Sequence, residues 1–437
     1  MLGPNKLTLE RAEVCLLSDS KGLVQVFVPS TSIANLDMIR SVSGRHLQPL
    51  SIAELSALKK RFNLETLPAF DDLIQADTII DHRLFETDKI FVHSGNENHL
   101  VALKNANAMK RKDETIVASV ATKIPFREVD YELSLFDHDR SEINNAVTKF
   151  TALRIRQRLE ETLEVPPLPD TAQAIIRLRV DPNANIEKLS RIVEHDPSLA
   201  AQVVSWASSS YYSAPGSIKS VQDAIVRVLG YDLVMNLALG LSLGKTLNLP
   251  NNPDEGTINF WNEAVYVAAC VGALVGTIPR EFRPGFGLSY LSGLLHNFGY
   301  LILAHAFKPL FETTSAMVAL NRHLEHQHTE KHVIGITRDQ IASNLMHSWN
   351  MPNEVTIGIR YQSDPHYMGA NSDQAHLIYL AYQLLQKHGL FPRLSQRFDK
   401  TVYQHLNLKE EAADEVVSKL KQQKSDLDSI ASALNAV

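Results

Sequence analysis

The sequence predicts an α+β protein of several domains, in which an N-terminal α/β domain precedes an all-α helical bundle. The chain has 437 residues, which is more than one typical domain contains. Runs of β-branched residues fall before residue 125, whereas helical periodicity dominates after residue 165. The three prolines of "VPPLPD" at 165–170 cannot continue a helix, so they separate the two halves.

The first 125 residues carry strand and turn signals in close succession. The runs "AEVCLLSD" and "GLVQVFVPS" flank a short polar turn, which predicts a β-hairpin. "SIAELSALKKRF" has the Ser51 and Glu54 spacing of a capping box, so a helix is predicted to start there. "DKIFVHSG" and "HLVALKN" add two predicted strands. These elements define a predicted α/β domain over residues 1–125.

Residues 126–160 are predicted to connect the two halves. The stretch 113–140 has no sustained helical period and is interpreted as a connector. Helical periodicity begins in 141–164, where Ile143, Val147 and Phe150 share one face. A linker helix is therefore expected to start at Ser141.

Beyond residue 161 the sequence predicts one helix after another. Asp196 is a predicted N-cap with Pro197 at the first helical position. Ser220 is a second predicted N-cap, and Gly230 is predicted to end the helix that it starts. We expect an all-α domain over 161–365 and a C-terminal helical extension over 366–437.

Composition excludes several classes of protein. The net charge of −6 and the pI of about 6.3 give no global attraction to nucleic acid or to an anionic membrane. The only two cysteines, Cys15 and Cys270, exclude a disulfide framework and favour a reducing cytoplasm. The longest apolar run, Ala264–Ile278, is interpreted as a buried helix too short to span a bilayer. Phosphate-loop, dinucleotide-binding and HExxH motifs are absent, so no cofactor is predicted, while the mildly acidic charge and the short apolar run predict no membrane association.

Several motifs of the helical half occur in the order that one family shows. They are a proline-rich start, a "DP-x-L-A" helix start, a small and aromatic stretch, and an "S-x-x-x-A-I-x-x-L-G" helix. In this chain they stand at Val165–Pro169, Asp196–Ala200, Ala207–Tyr212 and Ser220–Gly230. With these motifs, residues from about 160 to about 365 resemble an HDOD domain. The resemblance implies a helical bundle of the kind found in bacterial signal transduction.

HDOD domains are similar to the HD phosphohydrolases, which hold metal ions with histidine and aspartate side chains from separate helices. The resemblance implies that Glu263, His296 and Asn297 occupy three of these positions. The neutral amide of Asn297 cannot offset a divalent charge, and His296 is expected to be a buried, hydrogen-bonded histidine. The remaining positions fall on Gln362, Ser363 and Tyr382. We therefore expect a vestigial site with no metal ion and no catalytic residue.

A second cluster of histidines lies in "NRHLEHQHTEKH". It contains His323, His326, His328 and His332. His328 and His332 are four residues apart, so both could face one metal ion on a helix. The stretch is charged and polar throughout, so we interpret it as a solvated helix end or loop.

The segments "DSKGLVQVFVP" and "DKIFVHSGNENHLVAL" are similar to parts of the YbaK/prolyl-tRNA editing domains, which remove wrongly attached amino acids from tRNA. Glu13 stands where that family has a lysine, and "LETLPAFDD" has no glycine where a glycine-bearing loop is expected. Of the family's small turn only Ser94 and Gly95 remain. Residues 1–125 contain 15 basic and 15 acidic side chains, so they lack the basic excess of a tRNA-binding surface. We expect a retained fold without editing chemistry.

Three functions follow from these resemblances. The first is a non-enzymatic signal-transduction or regulatory module. The second is a metal-dependent phosphohydrolase of the HD type, acting on a nucleotide or another phosphate ester through Glu263 and His296. The third is an aminoacyl-tRNA deacylase that acts through the N-terminal domain. The replaced ligands argue against the second function, and the balanced charge argues against the third.

The partner of the first function would be an unidentified protein or small molecule, and tRNA is not expected. Its expected docking place is the cleft near Glu263, His296 and Tyr300, beside the loop Pro284–Gly287, because concave and partly apolar sites bind most ligands. Helices after residue 373 are the alternative place. The oligomeric state stays open.

Overall fold

The computed structural model describes residues 11–68, 74–96, 99–109, 115–124, 135–156, 168–212, 216–244, 260–306, 308–391 and 398–435. Among these residues, every strand lies before residue 124, and the chain from residue 135 onward is helical. The predicted mixed α+β architecture, with a helical C-terminal region, is therefore confirmed.

A five-stranded sheet forms the centre of the N-terminal part. Its strands are β1 (Ala12–Asp19), β2 (Gly22–Pro29), β4 (Gln48–Pro49), β5 (Asp77–Asp81) and β8 (Thr115–Ala118), in the spatial order β4-β1-β2-β5-β8. β1 pairs antiparallel with β2 and β4, whereas β5 lies parallel to both β2 and β8. The predicted hairpin is confirmed, because Asp19 pairs with Gly22, whose φ of 124° suits glycine.

Smaller elements surround this sheet. They are β3 (Ser32–Ala34), which pairs with β9 (Ala121–Lys123), the hairpin of β6 (Ile90–His93) and β7 (Leu100–Leu103), and the helices α1 (Leu36–Ser43) and α2 (Ile52–Arg61). The capping box that starts α2 is present as predicted. Glu54 N donates to Ser51 Oγ at 3.2 Å, and Ser51 N donates to the Glu54 carboxylate at 2.7 Å.

The linker helix α3 (Leu135–Arg156) starts six residues earlier than the sequence predicts. Its first turns lack a helical period but make specific contacts with the bundle. The Phe136 ring stacks on His347 with ring centroids 4.4 Å apart, and the buried Asp139 carboxylate pairs with Arg360. These tertiary contacts stabilise turns that periodicity alone does not reveal. Residues 157–164 of the predicted linker helix lie outside the described residues.

The remaining helices pack into a bundle. They are α4 (Asp170–Arg179), α5 (Ile186–Glu194), α6 (Pro197–Ala207), α7 (Val221–Ala224), α8 (Tyr231–Gly244), α9 (Phe260–Thr277), α10 (Phe286–Leu295), α11 (Phe298–Ala306), α12 (Lys308–Leu320), α13 (His326–Ile334), α14 (Arg338–Ser348), α15 (Asn353–Arg360), α16 (Ser372–Lys387), α17 (Thr401–His405), α18 (Glu410–Gln422) and α19 (Lys424–Asn435). Asp196 and Ser220 cap α6 and α7 as predicted. α7 continues as a π-helical turn (Ile225–Leu229), which ends at Gly230 with φ 78°.

α9 forms the centre of the bundle and contacts α10, α16, α18 and α19. Among the described residues it is the one helix whose length and composition would allow it to cross a membrane, which corrects the judgement that this apolar segment is too short. However, 72% of its 18-residue apolar window is buried inside the protein. That burial is typical of a central core helix.

The turn between α12 and α13, residues 321–324, docks the bundle onto β3 of the N-terminal part and is called the interdomain turn below. Ala34 N donates to Asn321 Oδ1 at 2.7 Å, and Asn321 Nδ2 donates to Ala34 O at 3.0 Å. His323 Nε2 bonds to the carbonyl of Ser32 at 3.0 Å. Met317 and Leu320 add apolar contact with the sheet and α1. The two parts therefore share a packed and hydrogen-bonded interface.

Candidate functional site

All six positions that the HDOD resemblance implies line one cavity of about 210 Å³. Glu263 comes from α9, His296 and Asn297 lie between α10 and α11, and Gln362 and Ser363 follow α15. Tyr382, on α16, and Tyr300, on α11, complete this wall. Ile52, at the start of α2, reaches the same cavity from the N-terminal part. The structure thus brings together residues that are far apart in the sequence.

Glu263, His296 and Asn297 form a polar cluster inside an apolar bundle. Asn297 Nδ2 donates to Glu263 Oε2 at 3.1 Å. His296 is 5% exposed, and its Nδ1 donates to the carbonyl of Gly293 at 2.8 Å. Its Nε2 lies 3.5 Å from Glu263 Oε1 and has no hydrogen-bond partner among the described residues.

The other family positions face this cluster with neutral groups. Gln362 Nε2 donates both to the His296 carbonyl and to Asp339 Oδ1, each at 2.8 Å. The Tyr382 ring centroid lies 6.4 Å from that of His296. Burial, and then the nearby Glu263 carboxylate, raise the pKa of Tyr382 well above its ordinary value. The hydroxyl therefore stays protonated beside the carboxylate.

The HD relationship implies a metal ion here, and the donor set of this chain does not fit one. A protein zinc site uses at least three protein ligands, commonly histidine, cysteine or carboxylate. Here one carboxylate, Glu263, and one free imidazole nitrogen, on His296, converge. Asn297 and Gln362 direct their NH₂ groups at carboxylate and carbonyl oxygens instead of offering an oxygen. Two donors beside protonated or amide groups make a poor site for a divalent ion.

The opposite wall carries a charged cluster that sequence reasoning missed. Asp339 is 1% exposed and accepts from Gln327 Nε2 at 2.5 Å, while His326 Nε2 lies 3.4 Å from the same oxygen. Burial alone would lower the pKa of His326, but the Asp339 and Glu330 carboxylates outweigh it and raise the pKa above its ordinary value. Glu330, which is fully buried, pairs with Arg338.

The interpretation of the histidine cluster as a solvated loop is wrong for two of its members. His323 lies in the interdomain turn and bonds to the carbonyl of Ser32, and His326 lines the cavity beside Asp339. His328 and His332 are exposed on α13. The polar composition misled because His323 and His326 are half-buried by specific contacts with the Ser32 carbonyl and with Asp339. The sequence of this stretch alone does not reveal those contacts.

The expected loop beside the cleft lies elsewhere. The loop Pro284–Gly287 does not line the cavity that holds His296, and Gly287 packs against Asn236 and Asp232 of α8. Gly293 also points away from the cavity, since a Cβ there would lie 3.0 Å from the Cα of Ala268 on α9. Its role is close packing between α9 and α10.

The described residues include one further group with metal-ligand chemistry, formed by His138, Asp139 and Glu142 on α3. The Asp139 carboxylate accepts from Arg360, and Gln340 Nε2 donates to both Asp139 Oδ1 and Glu142 Oε2 at 2.7 Å. Because two donors already occupy the buried carboxylate, this group acts as an ion-pair network between α3 and the bundle.

In the N-terminal part, Glu13 and the Ser94–Gly95 turn lie on either side of one buried cluster. Glu13 is 6% exposed, and its Oε1 lies 2.6 Å from Arg11 Nη2. Arg11 also contacts His93, which directly precedes Ser94. Gly95 has φ 99°, and its carbonyl accepts from Glu65 N and Thr66 N at 2.8 and 3.1 Å. Residues 69–72 of "LETLPAFDD" lie outside the described residues.

Folding makes the Glu13 carboxyl take up a proton. Burial raises the pKa of Glu13 to about 7, against the opposing charge of Arg11. Between the ordinary pKa of a glutamate side chain and about 7, the folded state binds a proton that the unfolded state does not, so this group's contribution to stability falls as pH rises.

We therefore expect the free energy of unfolding of Glu13→Gln, relative to that of the wild type, to increase as the pH rises from 5 to 8. The increase should reach up to about 3 kcal/mol, because each pKa unit is worth about 1.4 kcal/mol. Urea unfolding at a series of pH values measures the difference. The same substitution at the exposed Glu86 is the control. A difference between wild type and Glu13→Gln that does not change with pH would contradict the expectation.

Comparison with known proteins identifies the domain in the helical half. The HDOD domain family matches residues 165–365. The crystal structure of a "putative signal transduction protein" from Marinobacter aquaeolei VT8 is 39% identical, covers 98% of this chain and 94% of its own, and superposes with a TM-score of 0.85. Residues 165–365 of the protein form an HDOD domain. The predicted HDOD bundle is thereby confirmed, and the match to the Marinobacter protein extends through the N-terminal sheet.

Two more distant matches are solved structures, and at about 20% identity they show a shared fold alone. An "HDOD domain protein with unknown function" from Geobacter sulfurreducens is 20% identical, with a TM-score of 0.51 over 62% of this chain and 93% of its own. A "putative phosphohydrolase" from Shewanella amazonensis SB2B is 20% identical, with a TM-score of 0.50 over 62% of this chain and 95% of its own. An uncharacterized protein of Treponema pallidum (strain Nichols) is 23% identical over 229 residues, which is 52% of this chain but only 42% of that relative's length.

Proposed function

We propose that this HDOD protein is a non-catalytic module of bacterial signal transduction, which binds a partner or small ligand through the cavity around His296. The observation that carries the proposal is the Glu263–Asn297 hydrogen bond of 3.1 Å. A neutral amide donor takes the place at the Glu263 carboxylate where an HD enzyme would need a metal ligand. The name of the Marinobacter relative supports the signalling class.

The alternative is a metal-dependent phosphohydrolase of the HD type. The name of the Shewanella protein favours it, but 20% identity supports a shared fold and no more. Hydrolysis of a phosphate ester would need an ion to polarise the phosphoryl oxygen and activate water. The two donors of Glu263 and His296 do not supply such a site.

We further propose that the N-terminal sheet is a YbaK-like domain without editing chemistry. The burial of Glu13 against Arg11 and the balanced charge of residues 1–125 support this proposal. A deacylase would need an exposed catalytic group and a basic surface for tRNA. Both cysteines are free and buried, which fits a cytoplasmic protein.

The phosphohydrolase alternative is tested by activity of the full chain. We expect no hydrolysis of p-nitrophenyl phosphate, bis-p-nitrophenyl phosphate or nucleoside triphosphates above background with Mg²⁺, Mn²⁺, Fe²⁺ or Zn²⁺, and the same rate for His296→Ala. Asn297→Asp alone should not restore activity, because Gln362, Ser363 and Tyr382 would remain. Metal-dependent turnover that disappears in His296→Ala would overturn the proposal.

A further inference from the structure

The interdomain turn contributes one positively charged side chain, Arg322, to the lining of the cavity. Arg322 lines the cavity, and among the described residues no hydrogen bond or ion pair reaches its guanidinium. Burial lowers the pKa of Arg322 to about 10, so the group stays charged at neutral pH. Arg322 is half-buried, and none of its nitrogen atoms is among the buried side-chain atoms that lack a partner, so a dissolved anion can reach the guanidinium.

The backbone on both sides of Arg322 is held in place. Asn321 exchanges two hydrogen bonds with the backbone of Ala34, and His323 bonds to the carbonyl of Ser32. These bonds to β3 fix the backbone of the turn against the N-terminal part. Arg322 therefore lies at the boundary between the N-terminal part and the bundle, where it lines the cavity and is close enough to Cys15 of β1 to interact with it electrostatically.

The carboxyl groups that share the cavity do not neutralise Arg322. Glu263 is engaged by Asn297 and faces His296, and Asp339 is engaged by His326, Gln327 and Gln362. Burial raises the pKa of Glu325 to about 7, which weakens its charge at neutral pH. Among the described residues, the carboxyl groups of the cavity therefore leave the charge of Arg322 free to pair with an anion.

We infer that the cavity binds a small organic or inorganic anion, whose carboxylate or phosphate group pairs with the Arg322 guanidinium. A guanidinium matches both groups through paired N–H donors. Tyr300, Tyr379 and Ile378 provide an apolar and aromatic wall for the rest of the ligand. Because Ile52 of α2 also lines the cavity, the bound anion lies where the N-terminal part meets the bundle. This inference rests on the proposed function and names the ligand class of the same cavity.

The test titrates the full chain with inorganic phosphate and, separately, with succinate, by calorimetry at constant ionic strength and pH 7.5. We expect one site per chain for at least one of the two anions, and the anion that binds identifies the ligand group. Arg322→Gln should weaken this binding by about tenfold or more, since a charged hydrogen bond is worth about 1.5–3 kcal/mol. Arg191→Gln, which removes an exposed guanidinium on α5, is the matched control and should bind as the wild type does.

A second measurement avoids any variant. Phenylglyoxal labelling of wild-type protein, followed by peptide mass spectrometry, should show that the anion protects Arg322 and leaves Arg191 reactive. Failure of both anions to bind at millimolar concentration, equal affinity in Arg322→Gln, or labelling of Arg322 that the anion does not change would each overturn the inference. None of these results alters the hydrolysis test, so the inference and the proposed function can fail separately.

Discussion

Gly299→Ala is expected to destabilise the bundle by about 3 kcal/mol or more, which is a severe overpacking effect. Gly299 lies on α11 where this helix crosses the start of α14. An added Cβ would lie 2.1 Å from the carbonyl oxygen of Arg338 and 2.7 Å from its carbonyl carbon. Because the obstacle is backbone, a change of rotamer cannot relieve the clash. The two helices would have to separate, which would also displace His296 and Asn297 from Asp339.

Gly276→Ala is the matched control for this experiment. Gly276 lies on α9, and an added Cβ there meets no atom within 4 Å. Alanine in an open helical position should be neutral or stabilise the protein by up to about 1 kcal/mol. Urea unfolding of both variants measures the contrast. Equal stabilities of the two alanine variants would show that α11 and α14 do not approach as closely as described.

Asp139→Ala is expected to cost about 3–5 kcal/mol, because removing one partner of a buried ion pair leaves the other charge unpaired. Asp139 is fully buried, and only 14% of the Arg360 side chain is exposed. Burial alone would lower the pKa of Arg360, but the hydrogen bond and charge of Asp139 outweigh it and raise the pKa. Gln340 would lose an acceptor in the same variant.

Asp139→Ala also reports on how the linker helix α3 is attached to the bundle. Asp137→Ala changes an exposed carboxylate on the same helix and serves as the control. We expect Asp139→Ala to lower the unfolding midpoint and to speed proteolysis within α3, whereas Asp137→Ala should do neither. Equal proteolysis of the two variants would mean that the Asp139–Arg360 pair does not hold α3 on the bundle.

Local signals in the sequence predicted those elements whose cause is local. Ser51, Asp196 and Ser220 cap helices through hydrogen bonds to residues three positions away, so spacing alone reveals them. The hairpin of β1 and β2 is equally local. The start of α3 escaped prediction, because its first turns depend on His347 and Arg360 of distant helices.

The residues of the candidate site also differ in whether the sequence could reveal them. Family motifs pointed to Glu263, His296 and Asn297, and the structure places them in one cavity. Arg322 and Asp339 carry no motif, because their roles arise from contacts between the interdomain turn, α14 and the N-terminal sheet. The contact of half-buried His326 with distant Asp339 also explains why this polar stretch was misinterpreted as solvated.

The most direct test of the proposed loss of the metal site is elemental analysis of untagged protein. Exposed His328 and His332 could bind metal ions from nickel resin, so purification without such resin is essential. We predict less than one tightly bound Mn, Fe or Zn per chain, with the same content in wild type and His296→Ala. About one such ion per chain, lost in His296→Ala, would contradict the account.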